Sequence, residues 1–404
     1  MIQQCDLRRR ILSIQLFCAS FDIDSCLNQV RQCLEKGWTG MGFKTVEFEN
    51  EWKSYTGFRN AYFTNSATAA LNLAVATLKE KYGWSDGSEI ITTPLTFVST
   101  NHAILLSDLK PVFADVDETF CLDPRDVEAK ITASTKAIMF VGFGGNTGRY
   151  DEIVKICQKY DLLLILDAAH MAGTRLNEKV PGEEAAAVVY SFQAVKNLPT
   201  GDAGMLCMSD DECDNIVRKR GWLGINKDTY LRSIETNDGY KWKYDVEYLG
   251  EKYNGNSVMA ALALAQLPHL DEDNKYRKQL ANLYLSELED FNNYIFSPRY
   301  FGNCNPSWHL FQILVPDRDG LIDYLNDKGI FPGVHYIPNT EYRMYRYAKG
   351  TCKNADYIGN HVLSLPMHMR ITNEDVRHIC HCIKDYIIES NKGAFLELPS
   401  DWKY

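Results

Sequence analysis

The segment LLLILD, residues 162–167, decides the fold class of this 404-residue chain. Five consecutive apolar residues that end in an aspartate are typical of a parallel strand with helices on both faces. Outward from it, strand-like and helix-like segments alternate, which predicts an α/β fold with a mostly parallel sheet flanked by helices. The other predicted strands are residues 60–64, 89–92, 111–116, 137–141, 187–191 and 204–208, and the predicted helices are residues 66–81, 96–106 and 150–160.

The alternation ends in the last third of the chain. Two helices at residues 256–267 and 271–292 precede a strand–helix–strand pattern and a final helix at residues 375–390. We therefore expect a large domain with an N-terminal arm, residues 1–270, and a small C-terminal α+β domain, residues 271–404. The strand–helix–strand pattern comprises residues 309–315, 318–329 and 330–336.

Composition excludes several classes of protein. Apolar residues make up 45% and charged residues 24% of the chain, which is a globular mixture. The net charge of −10 argues against a nucleic-acid binder, and no apolar run reaches the length of about 18 residues that a membrane span needs. Twelve cysteines in a chain of this length predict reduced thiols in the cytoplasm.

The N-terminus carries three arginines, residues 8–10, before a partly apolar stretch, residues 11–19. This order faintly resembles a signal peptide, but Ser13 and Gln15 interrupt the apolar run and no clear cleavage site follows. We expect an N-terminal arm that packs on the body of the protein.

A lysine in the loop SFQAVKNLPTGDAG, residues 191–204, is the first candidate for chemistry. The loop follows a predicted parallel strand, and ligands bind at the carboxyl ends of such strands. A desolvated amine such as Lys196 there can form an imine with an aldehyde. The alternative is an ordinary exposed loop lysine.

Asp167 ends the central strand, where an unpaired buried carboxylate is costly. A protonated pyridine nitrogen would compensate it, and the carboxylate would keep that nitrogen protonated. An arginine partner or a turn cap is the alternative. His170 follows three residues later and could reach the same ligand.

Two further segments suit a flat phosphorylated ligand. The sequence NSAT, residues 65–68, opens an alanine-rich helix, whose free amides would bind a phosphate; an ordinary N-cap is the alternative. Phe97 could stack on a heterocycle or pack in the core.

A competing motif, the glycine-rich residues 142–148 with Asp167, follows the order of a nicotinamide-dinucleotide site with irregular spacing. His378, His381 and the neighbouring cysteines on one predicted helix do not form a metal-ligand set, so we expect no metal.

Eight ordered motifs together resemble the DegT/StrS family of nucleotide-sugar aminotransferases, which have the type I fold of pyridoxal-phosphate enzymes. The resemblance covers about residues 35–390. The motifs are VEFENEWKSYTG, NSATAALNLA, TPLTFVSTNHAI, LDAAH, SFQAVKNLPTGDAG, KYNGNSVMAALALAQL, GVHYIP and LSLPMH.

The resemblance implies a role for each motif residue. Lys196 corresponds to the lysine that carries pyridoxal 5′-phosphate as an internal aldimine, and Asp167 to the partner of the pyridine nitrogen. His170 would lie beside the phenolic oxygen of the cofactor and Phe97 against its ring. The phosphate would contact Ala67, Thr68 and Ser191, with Asn254 reaching it from the second subunit of a homodimer. His335 and Tyr336 would line the sugar site.

The activity that the resemblance implies is amino transfer from glutamate to a keto group, at C3 or C4, of a nucleotide-linked deoxysugar, with ping-pong kinetics. The setting would be polysaccharide synthesis, for example of lipopolysaccharide, in the cytoplasm. Three alternatives remain open: an NAD(P)-dependent oxidoreductase that uses residues 142–148 and Asp167, a non-enzymatic regulatory or scaffold protein that binds the cofactor, and a sugar dehydratase of the same fold. Lys196 argues against the dehydratase, because relatives with that activity carry histidine instead.

Overall fold

A computed structural model describes residues 13–227, 244–389 and 395–402. Seven strands form one sheet in the order β1-β8-β7-β5-β4-β2-β3, with β6 and β9 as a separate two-stranded pair. The strands are β1 Tyr62–Thr64, β2 Glu89–Thr92, β3 Lys110–Phe113, β4 Thr135–Val141, β5 Leu163–Asp167, β6 Arg175–Leu176, β7 Ala187–Ser191, β8 Gly204–Met208, β9 Cys304–Asn305, β10 Phe311–Leu314 and β11 Val362–Leu365.

The helices of the described ranges surround this sheet or build the C-terminal part. They are α1 Ile23–Glu35, α2 Phe43–Thr56, α3 Ala67–Lys81, α4 Val98–Leu105, α5 Pro124–Ala129, α6 Tyr150–Tyr160, α7 Asp211–Arg220, α8 Ser257–Gln266, α9 Leu270–Leu288, α10 Arg318–Asp327, α11 Lys353–His361 and α12 Asn373–Glu389.

The predicted α/β fold with a mostly parallel sheet is confirmed. Strands β3, β2, β4, β5 and β7 pair in parallel, whereas β8 pairs antiparallel with both β7 and β1. On the central strand, Leu164 and Leu166 pack into the apolar cluster that contains α2 and α6 residues, and Ile165 packs into the cluster that contains α3 residues. Alternate residues of β5 therefore enter opposite faces, which explains its uninterrupted apolar sequence.

The C-terminal part has its own apolar cluster beneath β10 and β11, which pair antiparallel. The predicted strand at residues 330–336 is wrong. Only isolated bridges form there, Ile330 with Ile14 and Gly333 with Ser364. Pro332 has no N–H to donate to a ladder, so this segment cannot pair continuously. The division of the chain near residue 270 stays a prediction; α9 begins at Leu270 after a 3₁₀ turn.

An extended arm precedes α1 and packs on the C-terminal part, as expected. Ile14 donates its N–H to the Gly329 carbonyl at 2.7 Å, and Phe331 donates to the Ile14 carbonyl at 2.9 Å. Met367 donates to the Leu16 carbonyl at 3.3 Å. The three arginines at residues 8–10 lie outside the described residues. None of the helices in the described ranges combines the length and apolar character needed to span a bilayer.

Candidate active site

A cavity of about 470 Å³ opens at the carboxyl edge of the sheet. Three parallel strands end at it, with Val141 on β4, Asp167 on β5 and Ser191 on β7 as their last residues. The position agrees with the rule that α/β sheets bind ligands beyond their carboxyl ends. All but one of the predicted site residues line this cavity: Ala67, Thr68, Phe97, Asp167, His170, Ser191, Lys196, His335 and Tyr336.

Asp167 is only 4% exposed and is held by two hydrogen bonds. The Thr100 hydroxyl donates to its Oδ2 at 2.8 Å, and the Ala169 amide donates to its Oδ1 at 3.1 Å. Burial raises the pKa of this carboxyl above its usual value. In the described part of the chain the carboxylate makes no direct ion pair, so a cationic group of a ligand would find a fixed, uncompensated acceptor here.

Lys196 lies in a loop whose residues are joined to one another by backbone hydrogen bonds. Lys196 donates its N–H to the Gln193 carbonyl, and Ala194 donates to the Gly201 carbonyl. Burial lowers the pKa of the Lys196 amine from 10.5 to about 8, although the negative charge of Asp167 acts to raise it. An amine with this pKa is partly neutral near pH 8 and can act as a nucleophile or base.

The N-terminus of α3 forms one end of the cavity. Ser66 caps the helix by accepting from the Ala69 amide at 3.1 Å, and Thr68 donates to the Ser99 hydroxyl at 3.0 Å. Strand β8 approaches closely because residue 204 is glycine; a Cβ there would lie 2.6 Å from the Ala67 nitrogen. The helix start, with its positive dipole end and the nearby hydroxyls, fits a phosphate group.

Neutral aromatic side chains border the cavity on another side. The Nδ1 atom of His170 accepts from the Gly144 amide at 3.2 Å, so its Nε2 carries the proton and faces the Tyr336 hydroxyl at 3.3 Å. Burial holds the pKa of His170 well below its usual value. Phe97 is 58% exposed and its ring centre lies 6.2 Å from that of Tyr336, so this ring is a cavity wall and not a core residue.

Asn254 is the predicted residue that does not line the cavity of its own chain. Its backbone bridges Thr64 on β1, and its Nδ2 donates to the Gly255 carbonyl at 2.9 Å. Within the described part of the chain, its Oδ1 atom is buried without a hydrogen-bond partner. The predicted role across a subunit interface concerns a second chain, so it stays a prediction.

The glycine-rich residues 142–148 do not line this cavity. The loop is almost wholly buried: a Cβ at Gly142 would meet the Met171 side chain at 1.9 Å, and one at Gly145 would meet the Ser307 hydroxyl at 2.2 Å. The glycines therefore permit close internal packing, and their amides do not face the cavity. In the described residues, no group of three metal-ligating side chains is assembled, and the His378 ring lies 3.9 Å from the Cys382 sulfur on α12.

Sequence reasoning missed His309, whose Nε2 lies 3.4 Å from the Lys196 amine. This histidine directly precedes Leu310 and β10, inside the strand predicted at residues 309–315. A histidine at the start of an apolar strand was the available signal. Its partner could not be inferred, because the contact joins distant parts of the chain.

Comparison with known proteins identifies the family. The model of the DegT/DnrJ/EryC1/StrS aminotransferase family matches residues 22–384. The chain belongs to this family. It is 34% identical over 380 residues to the spore coat polysaccharide biosynthesis protein SpsC of Bacillus subtilis, covering 91% of this chain and 95% of that protein. It is 33% identical over 375 residues to the uncharacterized protein MJ1066 of Methanocaldococcus jannaschii, with 90% and 95% covered.

Solved structures agree with this assignment. PseC of Helicobacter pylori, an aminotransferase involved in the biosynthesis of pseudoaminic acid, superposes with a TM-score of 0.84 at 26% identity, over 94% of this chain and 99% of that one. The protein is a sugar aminotransferase of this family, and its cofactor is pyridoxal phosphate. The cavity fits that cofactor, because a buried amine, a fixed carboxylate and the N-terminus of α3 border it.

Proposed function

We propose that this aminotransferase moves an amino group from glutamate to a keto group, at C3 or C4, of a nucleotide-linked deoxysugar. The observation that carries the proposal is the convergence of Lys196, Asp167 and the start of α3 on one cavity. A basic amine, a fixed carboxylate and a phosphate-binding helix end are the three groups that this chemistry needs from the protein.

Lys196 acts as the proton carrier. Because its pKa is about 8, the free amine accepts a proton from the substrate carbon and later returns it to another carbon. The closed loop around it keeps the amine at the cavity while the substrate is bound. Pyridoxal phosphate, when bound, supplies an electron-accepting ring that makes this carbon acidic.

Asp167 holds the nitrogen end of the ring. The hydrogen bonds from Thr100 and the Ala169 amide fix the carboxylate, so it can keep a pyridinium proton in place without moving. His170 would donate a hydrogen bond from Nε2 to the phenolic oxygen of the cofactor, and Phe97 would lie against the ring face; both side chains line the cavity. Both assignments rest on the position of the side chains and on the family motifs.

The phosphate end involves Ala67, Thr68 and Ser191, with Asn254 contributed by the second subunit of a homodimer. The unpartnered Asn254 Oδ1 and the absence of this residue from its own cavity support a role elsewhere. His335 and Tyr336 would contact the sugar. Both residues lie after α10 in the sequence and line the cavity.

We place this activity in the cytoplasmic synthesis of a surface polysaccharide such as lipopolysaccharide. The similarity to SpsC, a polysaccharide biosynthesis protein, supports the pathway class. A soluble nucleotide-linked sugar and glutamate are both available there.

A two-stage experiment tests the proposal. Glutamate alone should convert the bound cofactor to its amine form and release one equivalent of 2-oxoglutarate, because the two half-reactions are separate. A panel of 3-keto and 4-keto sugar nucleotides should then regenerate the original absorbance and give an amino sugar detectable by mass spectrometry. Loss of a sugar hydroxyl without amine gain would instead indicate a dehydratase, and consumption of a nicotinamide would indicate an oxidoreductase.

A further inference from the structure

His309 lies behind the reactive lysine and does not itself line the cavity. The imidazole is 2% exposed, and its Nε2 is 3.4 Å from the Lys196 Nζ. This histidine therefore acts on a bound ligand through residues that line the cavity, and Lys196 is the one that its Nε2 faces.

The tautomer of His309 follows from its neighbours. The Nδ2 atom of Asn197 donates to the Ser307 carbonyl and to the Asn274 Oδ1, both at 2.7 Å, which fixes the orientation of the Asn197 amide. The Asn197 Oδ1 therefore faces the His309 Nδ1 at 3.1 Å and can only accept, so Nδ1 carries the proton. The lone pair of Nε2 is then directed at Lys196.

The plane of the imidazole is also fixed. The ring of Phe17, on the N-terminal arm, lies nearly parallel to it at 5.8 Å, and the His170 ring lies 4.4 Å away. The His309 backbone donates to the Gly144 carbonyl at 3.1 Å. Phe17 precedes residue 22, where the family match begins, so this contact lies outside the matched part of the chain.

We infer that His309 is a positioning residue for Lys196. Its Nε2 accepts a hydrogen bond from the amine and thereby directs the remaining bonds of that nitrogen toward the cavity, while Asn197 and Phe17 hold the imidazole in place. No proton is transferred in this contact: His309 stays neutral, and the proton that Lys196 carries stays on Lys196. The inference rests on the proposed role of Lys196.

The surroundings of the pair contain few charges. Burial, and then the nearby Lys196, hold the pKa of His309 well below its usual value, which keeps Nε2 free to accept. The titratable groups that face the pair from the packed elements are Asp167, His170, Arg277, His335 and Tyr336.

The test measures the amine itself in the cofactor-free full-length chain. Trace acetylation of Lys196 with acetic anhydride, followed by mass spectrometry across pH 6–11, gives the midpoint of its titration. The wild type should titrate near pH 8. His309→Leu removes the acceptor for the charged amine, so the midpoint should fall by about one pH unit. His309→Gln places an amide oxygen near the same position, so its midpoint should lie close to the wild-type midpoint.

His368→Leu is the matched control. This histidine is also buried beside the N-terminal arm, but its Nε2 faces the Gln15 carbonyl. The control should leave the Lys196 midpoint unchanged. Phe17→Leu should keep the midpoint and Phe17→Ala should lower it, because only the smaller side chain frees the imidazole.

Equal midpoints in the wild type and His309→Leu would overturn the inference, as would equal shifts in His309→Leu and His309→Gln. Circular dichroism and thermal unfolding confirm that each variant is folded; should His309→Leu not fold, His309→Gln and the two Phe17 variants decide the matter in the same assay. None of these measurements uses a sugar, so the inference and the proposed amino transfer can fail separately.

Discussion

Lys196 and Asp167 border the same cavity, although one lies in a loop after β7 and the other ends β5. The two strands are neighbours in the parallel sheet, so their carboxyl ends meet at one edge. The pairing of the strands thus brings together an amine with a lowered pKa and a carboxyl with a raised pKa. Each of these shifts is dominated by burial, which is a property of the fold around the cavity.

Lys196→Ala should abolish amino transfer, because the proposed proton carrier is lost. We expect a fall in kcat of at least about 1,000-fold, at the level of losing a positioned general base. The variant should still bind pyridoxal phosphate, without the absorbance of the covalently attached form. Lys155→Ala, at an exposed position of α6, should retain wild-type kcat and absorbance. Wild-type turnover by Lys196→Ala would remove this residue from the mechanism.

Asp167→Asn should separate activity from stability. Activity should fall by about 100-fold, since the buried negative charge no longer stabilises a cationic ring. The cofactor-free variant should nevertheless be more stable than the wild type at pH 7. Burial raises the pKa of this carboxyl above 3.8, so the folded wild type loses stability as pH rises through the interval between the unfolded and folded values.

Urea unfolding of both cofactor-free proteins at several pH values measures the difference in the free energy of unfolding between Asp167→Asn and the wild type, and thus its sign. The advantage of Asp167→Asn should disappear below about pH 4, where the carboxyl is protonated in both states. A variant that is less stable than the wild type at pH 7 would show that the charge is already compensated inside the fold.

Gly204→Ala should weaken cofactor binding without touching a catalytic side chain. The added methyl would lie 2.6 Å from the Ala67 nitrogen and from the Ser66 carbonyl carbon, so the start of α3 must move away from β8. We expect a loss of about 1–3 kcal/mol in the free energy of unfolding and a higher dissociation constant for pyridoxal phosphate. Gly302→Ala, where nothing lies within 4 Å of the new Cβ, should match the wild type in both measurements.

Mixed dimers test whether Asn254 serves the neighbouring subunit. Lys196→Ala dimers and Asn254→Ala dimers should each have low activity. Co-expressed with two different tags, a mixed dimer would contain one site with an intact Lys196 and the intact Asn254 of the other chain. Activity should therefore reappear in the doubly purified species. If Asn254 acted within its own chain, the mixed dimer would stay as weak as the Asn254→Ala protein.

Local sequence patterns predicted much of the fold, because the forces concerned act over a few residues. The apolar run before Asp167 indicated a doubly covered strand, and the helix opened by Ser66 was expected within a residue of its observed start at Ala67. Strand ends were expected to carry the ligand, and Lys196, Asp167 and Ser191 do border one cavity. The family motifs were also confirmed by the family match.

The pairing of distant strands and the burial of particular side chains could be predicted less well from the sequence. The antiparallel insertion of β8 between β1 and β7 and the pairing of β10 with β11 join segments that are distant in sequence. The strand predicted at residues 330–336 does not form, because Pro332 has no N–H to donate to a neighbouring strand. The glycines at residues 142–148 look like a nucleotide loop in sequence, but their surroundings in the fold are packed side chains.

The sequence by itself determined the fold class, the strand ends that carry chemistry, and the residue types available there, because apolar periodicity and helix capping are local properties. Only the tertiary structure decided the directions in which the pKa values of Lys196 and Asp167 shift and the contact of Lys196 with His309. Desolvation, hydrogen-bond direction and the resulting tautomer depend on which distant side chains surround a group, and that is fixed only when the chain has folded.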